Sequence, residues 1–142
     1  MHESWAPGDS PSPTSQLSAL VVAAEPGGAA LASAMLRLGG YRVATADSAA
    51  AACAILQSRA PDLILLDLHL PSQAALSLAR QLRSLPAASG LPLLALVAAF
   101  EPSDLAAASS TGFDACLAQP FSRVGLLAAA AQARKRRRDL RA

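Results

Sequence analysis

Apolar and polar positions divide the chain into short apolar runs that alternate with helical stretches, and residues 61–71 form the clearest run. In this run, PDLILLDLHLP, four consecutive aliphatic residues lead into Asp67, and the run ends in a turn at Pro71. A continuous apolar run of this length is typical of a central parallel strand that helices cover on both faces. We therefore predict a buried strand over residues 62–67.

The same reasoning assigns the other elements. Strands that alternate with helices through short loops predict right-handed crossovers and an α/β, doubly wound parallel sheet in three layers. Strands are predicted at residues 17–24, 41–46, 62–67, 91–97 and 113–118. Helices are predicted for about ten residues after a turn at 25–28, and then at residues 49–59, 72–85, 102–110 and 122 to about 138.

Local signals define some of the helix faces and ends. In the first helix, Leu31, Met35 and Leu38 share one face, which is typical of an amphipathic helix. Gly39-Gly40 is a termination signal for this helix. Asp47-Ser48 is a capping signal at the start of the second helix.

Asp67 directly follows the apolar run, and its position raises the question whether it is a functional residue. In parallel α/β sheets, ligands bind beyond the carboxyl ends of the strands, where Asp67 would lie. The alternative is that Asp67 only caps the next turn, since Asp is a common turn residue. His69 has no second metal ligand nearby in the sequence and is expected to be an exposed loop residue. The residues alone leave both interpretations of Asp67 open.

Composition restricts the class of protein. The 142 residues suffice for one domain, whose core must be aliphatic because 53% of residues are apolar but only 4% are aromatic. No apolar run approaches the roughly 18 residues of a membrane span. Residues 1–16 are polar and Pro/Ser-rich without a signal-peptide pattern, which predicts a disordered leader on a cytoplasmic protein that does not insert into membranes. Cys53 and Cys116 lack metal-ligand spacing, so we expect two small buried thiols.

Charge is concentrated at the end of the chain. Residues 134–142 contain six basic residues and Asp139, a net charge of +5, whereas the other residues carry −3. We favour a solvated tail whose cations interact with the dipole of the last helix. The alternative is electrostatic binding of nucleic acid or anionic lipid. Because no aromatic residue interrupts the basic run to stack on bases, a nucleic-acid partner is not expected.

The first two helices contain almost no charge. Between Glu25 and Tyr41 the only charged residue is Arg37, and residues 48–57 contain none. One interpretation is a general compositional bias toward Ala. The other is an apolar surface that docks a partner or a second copy of the chain as a homodimer.

Five segments together resemble the receiver domain of bacterial two-component response regulators. The match extends from residue 17 to about 133 without large gaps, which divides the chain into a leader (1–16), a receiver-like domain (17–133) and a basic tail (134–142). The resemblance implies a flavodoxin-like fold, with a five-stranded parallel sheet in the order 2-1-3-4-5 and helices on both faces. The matching segments are residues 20–26, 40–43, 61–71, 91–96 and 112–121, the last with the sequence GFDACLAQPF.

The resemblance assigns roles to single positions, and only one family residue is retained. Asp67 falls on the phospho-accepting aspartate of the family. Ala23 and Ala24 fall where the family has two acidic residues that hold Mg²⁺, so the resemblance leaves no metal site intact.

Three more positions depart from the family pattern. Val97 falls on the Thr or Ser whose hydroxyl contacts the phosphoryl group. Cys116 falls on the aromatic residue that rotates during switching, and Gln119 on the Lys that precedes Pro120. The resemblance also implies that the peptide bond between Gln119 and Pro120 is cis.

These departures predict a degenerate site. Phosphoryl transfer depends on positioning and charge stabilisation, and losing one donor aimed at developing charge costs about 10²–10³ in rate. Losing the metal, the cation and the hydroxyl together should nearly abolish the transfer. We expect a signalling module that is not an enzyme, that needs no cofactor, and that binds Mg²⁺ weakly or not at all. Its partner would be a histidine kinase, a phosphotransfer protein or another signalling protein.

Two alternatives remain open. In the first, Asp67 still receives phosphate from a partner histidine kinase or phosphotransfer protein. In the second, the chain is a flavodoxin-like small-molecule-binding protein that uses the same crevice. The second alternative requires stacking aromatics, and Phe100 and Phe121 are the body aromatics near such a site.

Overall fold

A computed structural model of the chain describes residues 17–23, 26–67, 72–86, 89–97, 113–118 and 121–141. These residues form five strands and four helices. The helix predicted at residues 102–110 lies outside this part of the chain. The strands are β1 (Ser18–Ala23), β2 (Arg42–Ala46), β3 (Leu63–Asp67), β4 (Leu93–Val97) and β5 (Ala115–Ala118). The helices are α1 (Pro26–Leu38), α2 (Ala49–Ser58), α3 (Ser72–Arg83) and the C-terminal helix (Arg123–Arg141).

The strands form one parallel sheet in the order β2-β1-β3-β4-β5. β3, the apolar run of the sequence, is hydrogen-bonded on both sides, to β1 and to β4. Four consecutive residues of β3, 63–66, are fully buried. Both the doubly wound fold and the strand order expected from the resemblance are confirmed.

Two hydrophobic cores lie on opposite faces of the sheet. One core packs Ala52 and Leu56 of α2 with Ala79 and Leu82 of α3. The other packs α1 and the C-terminal helix against the opposite face of the same strands. Burying one aliphatic side chain of this size contributes about 1.5–3 kcal/mol, and Leu, Ile, Val and Ala make up nearly all of both cores. The predicted aliphatic core is confirmed.

The inward face of α1 differs from the one that its leucines suggested. Leu31 and Leu38 are 56% and 69% exposed, whereas Ala32 and Leu36 are fully buried. In an Ala-rich helix several faces are apolar, so the position of the large side chains does not define the packed face. Small residues also let a helix approach the sheet closely. The structure therefore leaves two leucines of α1 in contact with solvent.

The predicted helix ends are confirmed for α1 and α2. Gly40, directly after α1, has φ of 95°, a conformation that glycine adopts without the strain of a side chain. Its N–H donates to the carbonyl of Arg37 at 3.0 Å. At the start of α2, the Ser48 hydroxyl accepts a hydrogen bond from the N–H of Ala51 at 3.1 Å. Each arrangement satisfies backbone groups that a helix end leaves unpaired.

The C-terminal helix continues through the basic segment to Arg141. Arg137, in that segment, is only 16% exposed in its side chain and forms an ion pair with the carboxylate of Asp114 at 3.0 Å. The interpretation of residues 134–142 as a solvated tail is therefore wrong for Arg137, because a buried carboxylate on the body holds it. Lys135, Arg136 and Arg138 are exposed. In the part of the chain that the structure describes, no helix is both long and apolar enough to span a bilayer.

Candidate functional site

The predicted site lies where the parallel strands end. Asp67 is the last residue of β3, and its register partners are Ala23 on β1 and Leu96 on β4. Val97, the last residue of β4, pairs with Ala118 at the end of β5. All these residues share the carboxyl edge of the sheet, where ligands bind in open α/β folds. The backbone thus places Asp67 at the edge that the strand-end interpretation requires.

Ala23 occupies the strand position beside Asp67. It ends β1, it is 3% exposed, and neighbouring strands lie about 4.8 Å apart. Its methyl group carries no oxygen with which to hold a hard cation, and Mg²⁺ prefers oxygen ligands in octahedral geometry. Among the residues that the structure describes, no three His, Cys, Asp or Glu side chains cluster as a metal site would require. Ala23, the described side chain beside Asp67, therefore supplies no ligand for Mg²⁺.

Several other predicted site residues lie outside the described residues, namely Ala24, His69, Gln119 and Pro120. The cis peptide bond expected at Pro120 stays a prediction. The positions of Asp67 and Val97 are known from the strands they end.

Cys116 lies within β5, beside Ala95 of β4, and packs against the core shared by α2 and α3. Burial raises the pKa of its thiol to about 11. Because the thiolate is the reactive and metal-binding form, this side chain behaves as a small apolar residue at neutral pH. At the position where the resemblance places the family's switching aromatic residue, this chain thus has a compact, partly buried thiol.

Sequence reasoning missed an ionic cluster at the opposite, amino edge of the sheet. Asp114 precedes β5, and its side chain is only 1% exposed. Its carboxylate lies 2.8 Å from Nη2 of Arg83 and 3.0 Å from Nη2 of Arg137. It also accepts a hydrogen bond from the N–H of Leu93 at 2.8 Å. A buried charge is tolerated when it is paired and hydrogen-bonded in this way.

The Asp114 cluster connects three elements. Arg83 ends α3 on one face of the sheet, Arg137 belongs to the C-terminal helix on the other, and Asp114 lies between them at the start of β5. Burial, and next the nearby Arg137, lower the pKa of Arg83. The signal in the sequence was one acidic residue directly before an apolar strand, which cannot by itself reveal its two partners. The cluster lies at the edge of the sheet away from Asp67, and it ties α3 and the C-terminal helix to the start of β5.

The chain was compared with known proteins. The sequence profile of the response regulator receiver domain matches residues 19–131. The chain belongs to the receiver domain family.

Relatives span several kinds of signalling protein. The chain is 36% identical, over 103 residues, to the probable transcriptional regulatory protein TcrX of Mycobacterium tuberculosis; the match covers 72% of this chain and 43% of TcrX. It is 40% identical, over 73 residues, to the phosphate regulon transcriptional regulatory protein PhoB of Rhizobium meliloti, covering 51% of this chain and 32% of PhoB. The chain therefore spans less than half the length of these curated relatives.

Among solved structures, the receiver domain resembles that of a sensor histidine kinase from Pseudomonas aeruginosa. The two are 27% identical with a TM-score of 0.70, and the match covers 85% of this chain and 99% of the other. That receiver was solved with a magnesium ion coordinated in its active site cleft.

Proposed function

We propose that this receiver domain is a degenerate signalling module of a two-component pathway and acts through protein–protein contacts without catalysing a reaction. The observation that carries the proposal is the pairing of Ala23 with Asp67 at the ends of β1 and β3. At the strand end beside the acceptor, this chain has a buried methyl group where the family has a carboxylate. Its partner would be a histidine kinase, a phosphotransfer protein or another signalling protein.

The chemistry of the site supports this proposal. In aspartyl phosphorylation a carboxylate oxygen takes up a charged phosphoryl group, and the transfer relies on nearby cations to stabilise that charge. Val97 ends β4 without a hydroxyl, and Gln119 supplies no charge at the position of the family's Lys. Hydrogen bonds to charged groups are roughly twice as strong as neutral ones, so an amide is a weak replacement for an ammonium group. Asp67 then has no metal, cation or hydroxyl partner at these positions.

An apolar surface on α1 supports a role in protein contacts. Leu31 and Leu38 are large, exposed side chains on a helix with almost no charge. Exposed apolar groups that lie together on a surface are typical of interaction sites. The same exposed leucines are available to a second copy of the chain in a homodimer. The proposed partner is therefore either a signalling protein or a second copy.

A second candidate function rests on Asp67 itself. Asp67 is retained at the end of the central strand β3. A partner kinase or phosphotransfer protein that supplies the missing groups would therefore still have a carboxylate to phosphorylate. The flavodoxin-like alternative has less support, because Phe121 is partly buried against the core that α1 and the C-terminal helix share.

A phosphodonor experiment distinguishes a degenerate site from one that accepts phosphate on Asp67. The protein is incubated with acetyl phosphate and Mg²⁺, or with beryllofluoride, and followed by intact-mass spectrometry and two-dimensional NMR. We expect no added phosphate and no second conformation. The magnesium-binding receiver of the Pseudomonas aeruginosa kinase serves as the positive control under the same conditions.

A restored variant tests the reason for the expected inactivity. The substitutions Ala23→Asp, Ala24→Asp, Val97→Thr and Gln119→Lys together should recover measurable acceptance, and adding Asp67→Asn should remove it again. A hydroxylamine-sensitive phosphate on Asp67 of the unmodified protein would contradict the proposed degeneracy and favour the phospho-acceptor.

A further inference from the structure

A cleft of about 280 Å³ opens at the amino edge of the sheet, on the side away from Asp67. One wall is the chain that leads into β3 and β4, and the opposite wall is the last turns of the C-terminal helix. This volume is near the lower end of the roughly 300–1,000 Å³ typical of small-molecule sites. Its lining residues are Ala60, Pro61, Asp62, Leu91, Pro92, Arg134 and Arg138.

Two arginines line the helical wall of this cleft. Arg134 and Arg138 are four residues apart on one helix, so their side chains lie on the same face and repel each other. Within the described part of the chain, neither guanidinium lies within 4 Å of a carboxylate, since the ion pairs there involve Asp114 and Asp139. An anion between the two would relieve this repulsion. The two arginines therefore outnumber the one carboxylate of the lining, that of Asp62, with which neither forms an ion pair.

The helical wall is held in position by the body. Arg137, between the two cleft arginines in sequence, is bound to the buried carboxylate of Asp114. Arg134 interacts electrostatically with the side chain of Tyr41, which is itself buried. A guanidinium has five N–H donors, so this contact leaves most donors of Arg134 available. The helix that carries the two arginines is thus held in place before any ligand arrives, which reduces the entropy cost of binding.

The opposite wall has a different chemistry. Pro61, Leu91 and Pro92 supply apolar surface. Oδ2 of Asp62 accepts hydrogen bonds from the N–H and hydroxyl of Ser18, at 2.8 and 3.3 Å. The other oxygen of this carboxylate is an acceptor for a ligand hydroxyl. A ligand that fits both walls carries an anionic group at one end and hydroxyl groups on a compact body at the other.

We propose that this cleft binds a small phosphate monoester that also carries hydroxyl groups, with the phosphate between Arg134 and Arg138 and a hydroxyl on Asp62. Guanidinium groups match phosphate oxygens in a planar, bidentate geometry, which favours phosphate over a spherical anion. The site is separate from the strand-end site of Asp67, and a ligand bound there would contact the segments that lead into β3 and β4 together with the C-terminal helix. The outcome of a binding test at this cleft is therefore independent of the proposed signalling function.

The test uses the full chain, with ribose 5-phosphate as the probe and ribose and inorganic phosphate for comparison. Binding is followed by amide chemical shifts in two-dimensional NMR and by calorimetry. We expect saturable shifts at Asp62 and Leu91, no shift at Leu66 near the other edge, weaker binding of inorganic phosphate, and no binding of ribose. Equal affinity for inorganic phosphate and ribose 5-phosphate would contradict the role of Asp62 and the apolar wall.

Two variants of equal charge give a matched control. Arg138→Gln removes a cleft arginine, whereas Arg136→Gln removes an exposed arginine of the same helix outside the cleft. Neither residue has a described partner, so both variants should fold, which circular dichroism verifies. We expect R138Q to weaken ribose 5-phosphate binding about tenfold or more and R136Q less than about twofold.

Three results would overturn the proposal. The first is the absence of saturable binding of ribose 5-phosphate at millimolar concentrations. The second is equal weakening by R136Q and R138Q, which would indicate general electrostatic attraction to the basic helix. The third is binding of a short DNA duplex, weakened equally by both variants, together with no response to ribose 5-phosphate.

Discussion

Two residues at the carboxyl edge of the sheet carry the proposed degeneracy of this receiver domain. Asp67 falls on the position of the family's acceptor, and Ala23 beside it contributes only a methyl group. Two acidic residues next to an aspartate would repel it, and a bound cation would relieve that repulsion. The proposed degeneracy thus rests on the neighbours of Asp67 and not on Asp67 itself.

Mg²⁺ binding is the direct test of this residue-level argument. We expect no saturable amide shifts around Asp67 when Mg²⁺ is added to a few millimolar, because one carboxylate alone is a weak ligand set. The double variant Ala23→Asp, Ala24→Asp should bind the ion, and adding Asp67→Asn should weaken that binding. Saturable shifts at residues 23 and 67 in the unmodified protein would show that another group completes the site.

Cys116 gives a second residue-level prediction. Because its pKa is raised to about 11, its reaction with a thiol reagent at pH 8 should be about a hundredfold slower than that of an ordinary exposed thiol. The Cys53→Ser variant isolates Cys116, and dithionitrobenzoate measures the rate. In urea the rate should recover. A fast reaction in the folded protein would mean that β5 opens readily.

The same pKa shift fixes the sign of a pH effect on stability. The folded pKa lies above the unfolded value of 9.0, so the neutral thiol favours the folded state. Its contribution is complete below pH 9 and is lost as the pH rises toward 11. In the Cys116→Ala variant this loss of stability above pH 9 should be smaller.

Among the elements, helix ends were easier to predict than helix faces. An end depends on local chemistry, such as the Ser48 hydroxyl that accepts from Ala51 or the positive φ of Gly40. The packed face depends on what lies opposite. The sheet lies opposite α1, and Ala32 and Leu36 are buried against it whereas Leu31 is exposed.

The cap of α2 can be tested by one substitution. Ser48→Ala should lower the free energy of unfolding by about 1 kcal/mol, because the N–H of Ala51 loses its acceptor. Ser48→Asp should retain most of the stability. Ser58→Ala, at the exposed other end of the same helix, is the matched control and should change it by less than about 0.5 kcal/mol. Urea unfolding measures all three, and equal effects at both ends would contradict the assigned cap.

Across the whole molecule, the Asp114 cluster joins layers that the sheet otherwise separates. Arg83 approaches from α3 on one face, and Arg137 from the C-terminal helix on the other. The segment that looked like a free basic tail is therefore part of the folded domain at Arg137. Its position also sets the wall of the cleft that contains Arg134 and Arg138.

Asp114→Asn tests this connection. The substitution keeps the shape but removes the carboxylate that pairs with two largely buried guanidinium groups, so we expect a loss of about 3–5 kcal/mol in the free energy of unfolding. Asp139→Asn is the matched control. It breaks the exposed Lys135–Asp139 pair and should cost no more than about 0.5 kcal/mol. A loss below about 1 kcal/mol for D114N would mean that water, more than Asp114, stabilises the two arginines.

The sequence by itself determined the elements and their arrangement. Apolar runs such as residues 63–66 are typical of a covered parallel sheet, and alternation with helices leaves few topologies. The position of Asp67 at a strand end follows from the same pattern. These features depend on neighbours in the chain, which a sequence displays directly.

Only the tertiary structure decided which distant groups meet. Asp114 is 31 residues from Arg83 and 23 from Arg137, and no local pattern connects them. The arginine-lined cleft likewise forms because the last helix crosses the amino ends of β3 and β4. The packing of whole elements brings charged groups together. That packing depends on the summed burial of many small apolar side chains more than on the charges themselves.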